Sequence, residues 1–287
     1  MLRYVNKNPE SATTIVQLKT TFIYQDHQCL VFELLHHSLL DVIRRSPQGV
    51  SLDDIQSILH TILHGLCVLA KMKIIHGDLK PANIMNRPDN KPLDFLIIDL
   101  GLARQKPITP RSYIQSRYYR APEVILGVSK SSVAVDMWSL GCITLEMMSG
   151  KSPLFTGKNE QEQLYLYRDA CGSPSFEFLS ECQRYSRYYD IAKDEKSGEE
   201  HHILKGWTST RKGAFTYDQV RNRVWDKETT KRDHLVQLVT QMLCYNPRYR
   251  ITAEAALRHP FFQPDSIHPS SSSSSFICSS SSSRSTT

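Results

Sequence analysis

The chain has 287 residues, with 35 Lys+Arg against 29 Asp+Glu for a net charge of +6, and is 40% hydrophobic and 9% aromatic. That composition excludes a wholly disordered chain and suffices for one large domain or two modest ones. No apolar run reaches the ~20 residues of a membrane-spanning helix, Met1–Glu10 lacks the apolar core of a secretion signal, and the basic residues are scattered rather than striped; membrane insertion, secretion and direct nucleic-acid binding are therefore not expected.

In chain order, the first elements read as strands. Ile15–Tyr24 and Cys29–Phe32 are rich in β-branched and aromatic residues, with Gln25–Gln28 as the turn between them. A helix follows at Ser51, where Ser51 and Asp54 form an S-x-x-D cap. Behind the cap lie Ile55, Ile58, Leu59, Ile62, Leu66 and Leu69, and spacings of three and four put them in one stripe against a core. Ile74–Ile75 and Phe95–Ile98 are short strand-like runs, each ending at a polar cluster: His76-Gly77-Asp78 and Asp99-Leu100-Gly101. A carboxylate just past a strand end is held rigidly yet meets solvent. Val133–Ser149 is apolar on nearly all sides, as a buried helix is, with Gly150 as its stop. His234–Cys244 and Ala253–Arg258 read as two further helices, separated from the buried one by a polar stretch from about Ser173 to Thr230. The expected fold class is α+β and mainly helical, with few strands, all near the front.

Two compositional features complete the outline. After Gln263 the near-pure serine tracts cannot bury enough surface to offset their ordering entropy, so residues 264–287 are expected to form a disordered tail. The seven cysteines are odd in number and show no C-x-x-C pairing, which fits a reduced protein of the cytoplasm or nucleus rather than a disulfide frame or zinc site.

The chemistry concentrates in His76-Gly-Asp-Leu-Lys-Pro-Ala-Asn83 and Asp99-Leu-Gly101. An aspartate, a lysine and an amide in one loop can accept a proton, neutralise a phosphate and ligate a hard cation; Asp99 adds a second oxygen ligand of the kind Mg²⁺ prefers. A polar turn would account for any one of these residues alone. The full set at this spacing is much harder to reach that way.

This run resembles the catalytic loop H-R-D-L-x-x-x-N and the metal motif D-F-G of protein kinases. Ala121-Pro122-Glu123 matches A-P-E, Asp136-Met-Trp-Ser-Leu-Gly141 is similar to the opening of the kinase central helix, and Arg250 stands where the partner of the A-P-E glutamate is expected. The resemblance covers about Val16 to Phe262. Ser112-Tyr-Ile-Gln-Ser-Arg-Tyr-Tyr-Arg120 and the hinge-like Val31-Phe-Glu-Leu-Leu35 are similar to the dual-specificity tyrosine-regulated and homeodomain-interacting kinases. The resemblance implies phosphoryl transfer from ATP to Ser/Thr of protein substrates with Mg²⁺. Asp78 and Lys80 would then be catalytic, and Asn83 and Asp99 metal ligands that also hold ATP beside Phe32, Glu33 and Leu35. Tyr113 would be autophosphorylated and clamped by Arg117 and Arg120, while Glu123, Asp136 and Arg250 would be structural. Residues 1–35 would be a remnant of the small lobe with the hinge, and 36–263 the large lobe with an insert at about 173–230.

The sequence departs from the pattern in places. Gly77 replaces the arginine of H-R-D, and Leu100 the phenylalanine of D-F-G. No G-x-G-x-x-G and no V-A-I-K-like run occurs; Lys7 falls in a polar loop, Lys19 in a strand matched to a later one, and Met1–Tyr4 is similar to the end of the control helix. Two explanations compete: a truncated form of an active kinase, which the intact Asp78, Lys80, Asn83 and Asp99 favour, or a catalytically silent kinase-derived scaffold or binding module. Either way the chain alone is expected to hold nucleotide weakly and to expose the apolar underside of its first strands.

Overall fold

The computed structural model describes residues 1–88, 93–105, 109, 113–128, 132–193, 200–208 and 229–263. The serine-rich stretch and most of the second half of the polar insert lie outside the described residues.

The two helices marked by apolar patterning form the centre of the molecule. We number elements in chain order, so the earlier of the two, Leu52–Lys71, is α3 and the later, Ala134–Ser149, is α5. Ser51 caps α3, its Oγ accepting the Asp54 N–H at 3.2 Å, and the stripe from Leu52 to Leu69 is buried. Every residue of α5 from Val135 to Met148 is buried, and Gly150 ends the helix in the left-handed region at φ 67°. A side chain at Gly150 would also collide with the Ser46 carbonyl. Trp138, wholly buried, lies edge-on to Tyr167 at 4.9 Å between ring centroids.

In front of this body come α1 (Leu2–Val5), the strands β1 (Leu18–Tyr24) and β2 (His27–Phe32), and α2 (Leu39–Arg45). β1 and β2 are antiparallel and joined by a turn of two residues rather than the expected four: Gln25 and Asp26 both take positive φ, as a type I′ hairpin requires. The expected strand start at Ile15 is corrected. Residues 14–16 run alongside β4 (Phe95–Ile97), with Ile97 N–H donating to the Thr14 carbonyl at 2.9 Å and Val16 N–H to the Ile97 carbonyl at 3.0 Å. β4 in turn pairs antiparallel with β3 (Ile84–Asn86).

Ile74–Ile75 is not a strand. Only Ile75 pairs, with Arg104, through two backbone hydrogen bonds of 2.8 and 2.9 Å. Ile74 and Ile75 are apolar because they are buried behind the loop that follows, not because a sheet needs them.

Behind α4 (Pro122–Leu126) and α5 follow α6 (Glu160–Cys171), α7 (Phe176–Ser180) and α8 (Tyr185–Tyr188). A third hairpin, β5 (Tyr189–Lys193) against β6 (Glu200–Leu204), lies inside the polar insert, so the strands are not confined to the front. Helices α9 (Thr229–Met242) and α10 (Ala253–Leu257) close the body, α9 against α5 and α10 against α3. Gly141 of α5 lets α9 approach; a Cβ there would sit 2.8 Å from a methyl of Leu243.

Candidate active site

The loop after Ile75 is hung from α5. Asp136 accepts the backbone N–H of His76 at 2.8 Å and of Gly77 at 3.0 Å, one on each carboxylate oxygen. Burial pushes this carboxyl up, while the nearby His76 ring and the two backbone donors oppose the shift. His76 is wholly buried; its Nδ1 accepts the Asp78 N–H at 3.2 Å, so its Nε2 carries the proton and donates to the Ile98 carbonyl at 3.0 Å. Gly77 has φ 77°, and a side chain would press on the Leu102 carbonyl at 3.3 Å. Glycine thus relaxes a bend that any other residue would strain.

Asp78 is the convergence point. Its Oδ2 accepts from Lys80 Nζ at 2.6 Å and Asn83 Nδ2 at 3.2 Å, and its Oδ1 from Ser116 Oγ at 2.7 Å and Ser116 N–H at 3.1 Å. Burial pushes the carboxyl up, but the donors from Lys80 and Ser116 outweigh it and hold the group below the usual carboxylate range. Asp78 is therefore ionised at neutral pH. Lys80 also reaches Ser116 Oγ at 3.4 Å.

Asn83 Nδ2 donates to the Asp78 carbonyl at 2.9 Å, which leaves its Oδ1 as an acceptor. The Asn83 carbonyl takes the Ile98 N–H at 3.0 Å, which sets the following residue, Asp99, beside the loop. Asp99 is exposed at φ 59°, and among the described residues only its Oδ1 is engaged, by the Gly101 N–H at 3.1 Å. An amide oxygen and a free carboxylate oxygen are hard donors that fit Mg²⁺ completed by phosphate and water. Among the described residues no group of three or more His, Cys, Asp or Glu could hold a metal by itself.

The activation-like segment crosses this loop. Gln115 N–H donates to the Gly77 carbonyl at 2.8 Å. Its buried side chain donates to the Val135 carbonyl at 3.0 Å and to Ser139 Oγ at 2.8 Å, and accepts the Ala121 N–H at 3.0 Å. Arg120 is buried, with Nε on the Ile114 carbonyl at 3.0 Å, Nη2 on the Gln115 carbonyl at 2.8 Å and Nη1 on Glu160 at 3.1 Å. Its guanidinium lies 4.1 Å from the ring centre of Tyr113, which is 74% exposed. A hydrogen bond and the charge of Arg120 pull the Tyr113 phenol below its ordinary value. The Arg117 guanidinium donates to the Lys158 carbonyl, and its charge adds to the pull on Tyr113.

Glu123 and Arg250 form a bidentate pair at 2.6 and 2.8 Å with both side chains 0% exposed. Arg250 also donates to the carbonyls of Ala134, Cys244 and Tyr245. At the hinge, Phe32 ends β2, Glu33 accepts from Arg87 at 3.2 Å, and Leu35 is half-buried next to Leu34, which is 85% exposed.

Sequence reasoning missed Ser116 and the side-chain role of Gln115. Both lie inside the run Ser112–Arg120, but only the fold shows Ser116 touching Asp78 across 38 positions. The adjacent polar residues Gln115 and Ser116, just before the basic and aromatic run Arg117–Arg120, were the available signal.

The protein kinase domain model matches residues 4–262. The chain is 33% identical over 282 residues to the dual specificity protein kinase YAK1 of Saccharomyces cerevisiae, an alignment covering 88% of this chain and 35% of that protein. The chain thus spans about a third of that relative's length.

Proposed function

The chain belongs to the protein kinase family, and from that premise we propose that its Asp78 loop serves transfer of the γ-phosphoryl group of ATP to Ser and Thr hydroxyls of protein substrates. Likeness to a dual specificity kinase and to the tyrosine-regulated branch extends the proposal to autophosphorylation of Tyr113. Residues 36–263 would be the large lobe, with the insert at about 173–230. Residues 1–35 would be the hinge and part of the small lobe, and 264–287 a tail. Protein substrates are the expected partners and the cytoplasm or nucleus the expected setting; among the described residues no helix is long and apolar enough to cross a membrane.

One observation carries the reading: four donors from Lys80, Asn83 and Ser116 converge on Asp78 and hold both of its oxygens. In the transfer, Asp78 orients the substrate hydroxyl and takes its proton as the oxygen bonds to the γ-phosphorus and the bond to ADP breaks. Lys80 neutralises charge on the transferring group. Asn83 and Asp99 would hold Mg²⁺, whose contribution is to offset phosphate charge. Positioning and electrostatics are the whole of the mechanism asked of the protein. Phosphate on Tyr113 would add about −1.5 to −2 charges next to Arg120 and draw Arg117 from Lys158, stiffening the segment that carries Ser116.

The second reading is a catalytically silent binding module, favoured by the exposed hinge at Leu34. Thermal shift separates the two. Stabilisation by Mg-ATP that disappears in Asp99→Ala supports a working nucleotide site; no shift at millimolar ATP supports the silent module. Asp78→Asn is expected to lower transfer by ~10²–10⁴-fold, read by phosphate incorporation. Retained turnover would remove Asp78 as the base.

A further inference from the structure

One guanidinium joins three segments. Arg87 directly follows β3, and its backbone N–H donates to the Asp94 carbonyl at 3.0 Å, one step beyond the last β3–β4 pair. The side chain then uses all three nitrogens. Nη1 meets Asp94 Oδ1 at 3.1 Å and Oδ2 at 3.0 Å, Nε meets Glu33 Oε2 at 3.2 Å, and Nη2 donates to the Ala12 carbonyl at 2.9 Å. Asp94 precedes β4, whereas Glu33 continues from β2 and Ala12 lies ahead of β1. The Arg87 and Glu33 side chains are only 19% and 23% exposed, which spares the pair much of the screening that leaves surface ion pairs nearly worthless. Partners placed around a planar fork call for arginine; a lysine ammonium is a point charge on a flexible stem. The chain beyond Glu33 is fastened again, His36 N–H donating to the Asn86 carbonyl at 2.8 Å and Asn86 N–H to the His37 carbonyl at 2.8 Å. Consecutive residues at the end of β3, Asn86 and Arg87, therefore hold both ends of the span from Glu33 to His37.

The other end of β3 adjoins Asn83, whose amide donates to the Asp78 carbonyl. One three-residue strand thus separates the residue read as a metal ligand from the anchor of the hinge, roughly 13 Å away at the rise of an extended strand. We propose that Arg87 is a positioning residue for the nucleotide: through Glu33 it fixes the hinge at a set distance from Asn83, so that the base and the phosphates of one ATP can be held together. This rests on the nucleotide-binding reading above and deepens it, since that reading gives Arg87 no role. Charge makes the loss of the guanidinium costly. Without it, the carboxylates of Glu33 and Asp94 are left on either side of the vacated space with like charge and reduced hydration, and their repulsion drives the hinge off the body.

The test reads hinge and ligand separately on the 287-residue chain. In the unliganded protein, Arg87→Ala should speed amide exchange at residues 33–37 by roughly 10-fold while α5 exchanges as before, and Arg87→Lys should recover only part of the protection. With Mg²⁺ present, Arg87→Ala should weaken ATP binding by roughly 10-fold in titration and leave inorganic tripolyphosphate, which lacks the base, unchanged. A merely structural contact would weaken both alike. Should Arg87→Ala fail to fold, Glu33→Gln carries the same test: it keeps the Arg87–Asp94 pair and should shift exchange and ATP affinity in the same direction by about 3-fold. Unchanged hinge exchange, unchanged ATP affinity, or equal effects on ATP and tripolyphosphate overturns the proposal. Failure of the nucleotide reading looks different: the unaltered chain then binds neither ligand, which removes the positioning role, while the exchange result still decides whether Arg87 holds the hinge.

Discussion

The helical body and the front hairpin are built from similar residues and end in opposite states. Around α5 the large side chains Trp138, Tyr167 and Phe155 are wholly buried, whereas Phe22, Ile23, Tyr24 and Leu30 of the hairpin face solvent. The difference is one of neighbours. A helix apolar on all sides is enclosed by α3, α9 and the loops between them, while among the described residues nothing encloses Phe22, Ile23, Tyr24 and Leu30 of the two-stranded ribbon. This division decides which parts of the site are secure. Asp78, Asn83 and Ser116 are tied to the body through Asp136 and Gln115; Phe32, Glu33 and Leu35 continue from the hairpin.

The strongest way to break this contrast is to unfasten the body. Glu123→Ala would leave the Arg250 guanidinium buried without its charge partner, and a loss of about 3–5 kcal/mol of unfolding free energy is expected in urea titration. The same chain should lose nucleotide-independent order in the Tyr113–Glu123 segment, visible as faster amide exchange there. If Glu123→Ala unfolds at the wild-type midpoint, the lock is not what holds that segment. Leu59→Ala, at a wholly buried position of α3, should cost about 2–5 kcal/mol by the same measurement.

The parts of the fold legible in the sequence were those whose signal is local. The α3 stripe, the all-round apolarity of α5 and the Gly150 stop are properties of consecutive residues, and the structure agrees with all three. α2 was legible too and was missed: Ser38 and Asp41 form a reciprocal capping box, with Ser38 N–H on Asp41 Oδ2 at 2.9 Å and Asp41 N–H on Ser38 Oγ at 3.2 Å. The β5–β6 hairpin was hidden because its alternation is polar, and Ile74–Ile75 misled because deep burial of a loop anchor mimics a strand. In the site, the spacing of Asp78, Lys80 and Asn83 could be read directly because they share one loop. Ser116 could not, since its contact with Asp78 exists only after α5 has positioned both segments.

A smaller effect tests the body through pH. Glu146 of α5 is buried with no cation beside it among the described residues, accepting from Tyr119 Oη at 3.1 Å, from Ser152 Oγ and from the Leu154 N–H at 3.0 Å. Burial pushes its carboxyl up to about 7, against the pull of those donors. A carboxyl raised on folding binds its proton more tightly in the folded state. Its contribution is therefore full below the ordinary value near 4.5 and is lost as pH rises through about 7. Asp78, held low, acts in the opposite sense, so the readable quantity is a difference. Stability of the wild type minus that of Glu146→Gln should fall between pH 5 and 8 by roughly 1–3 kcal/mol. A flat difference would mean that Glu146 is ionised throughout.

The smallest expected effect is the most telling for the hairpin. Ile23→Thr keeps a β-branched shape and removes apolar surface that is already mostly in water, so monomer stability should change by less than about 0.5 kcal/mol. That near-null result, set beside the loss at Leu59, would establish that an isoleucine on β1 and a leucine on α3 differ in worth because of enclosure rather than chemistry. A loss above ~1.5 kcal/mol, the range of a buried site, would instead show that the face carrying Ile23 is covered in solution.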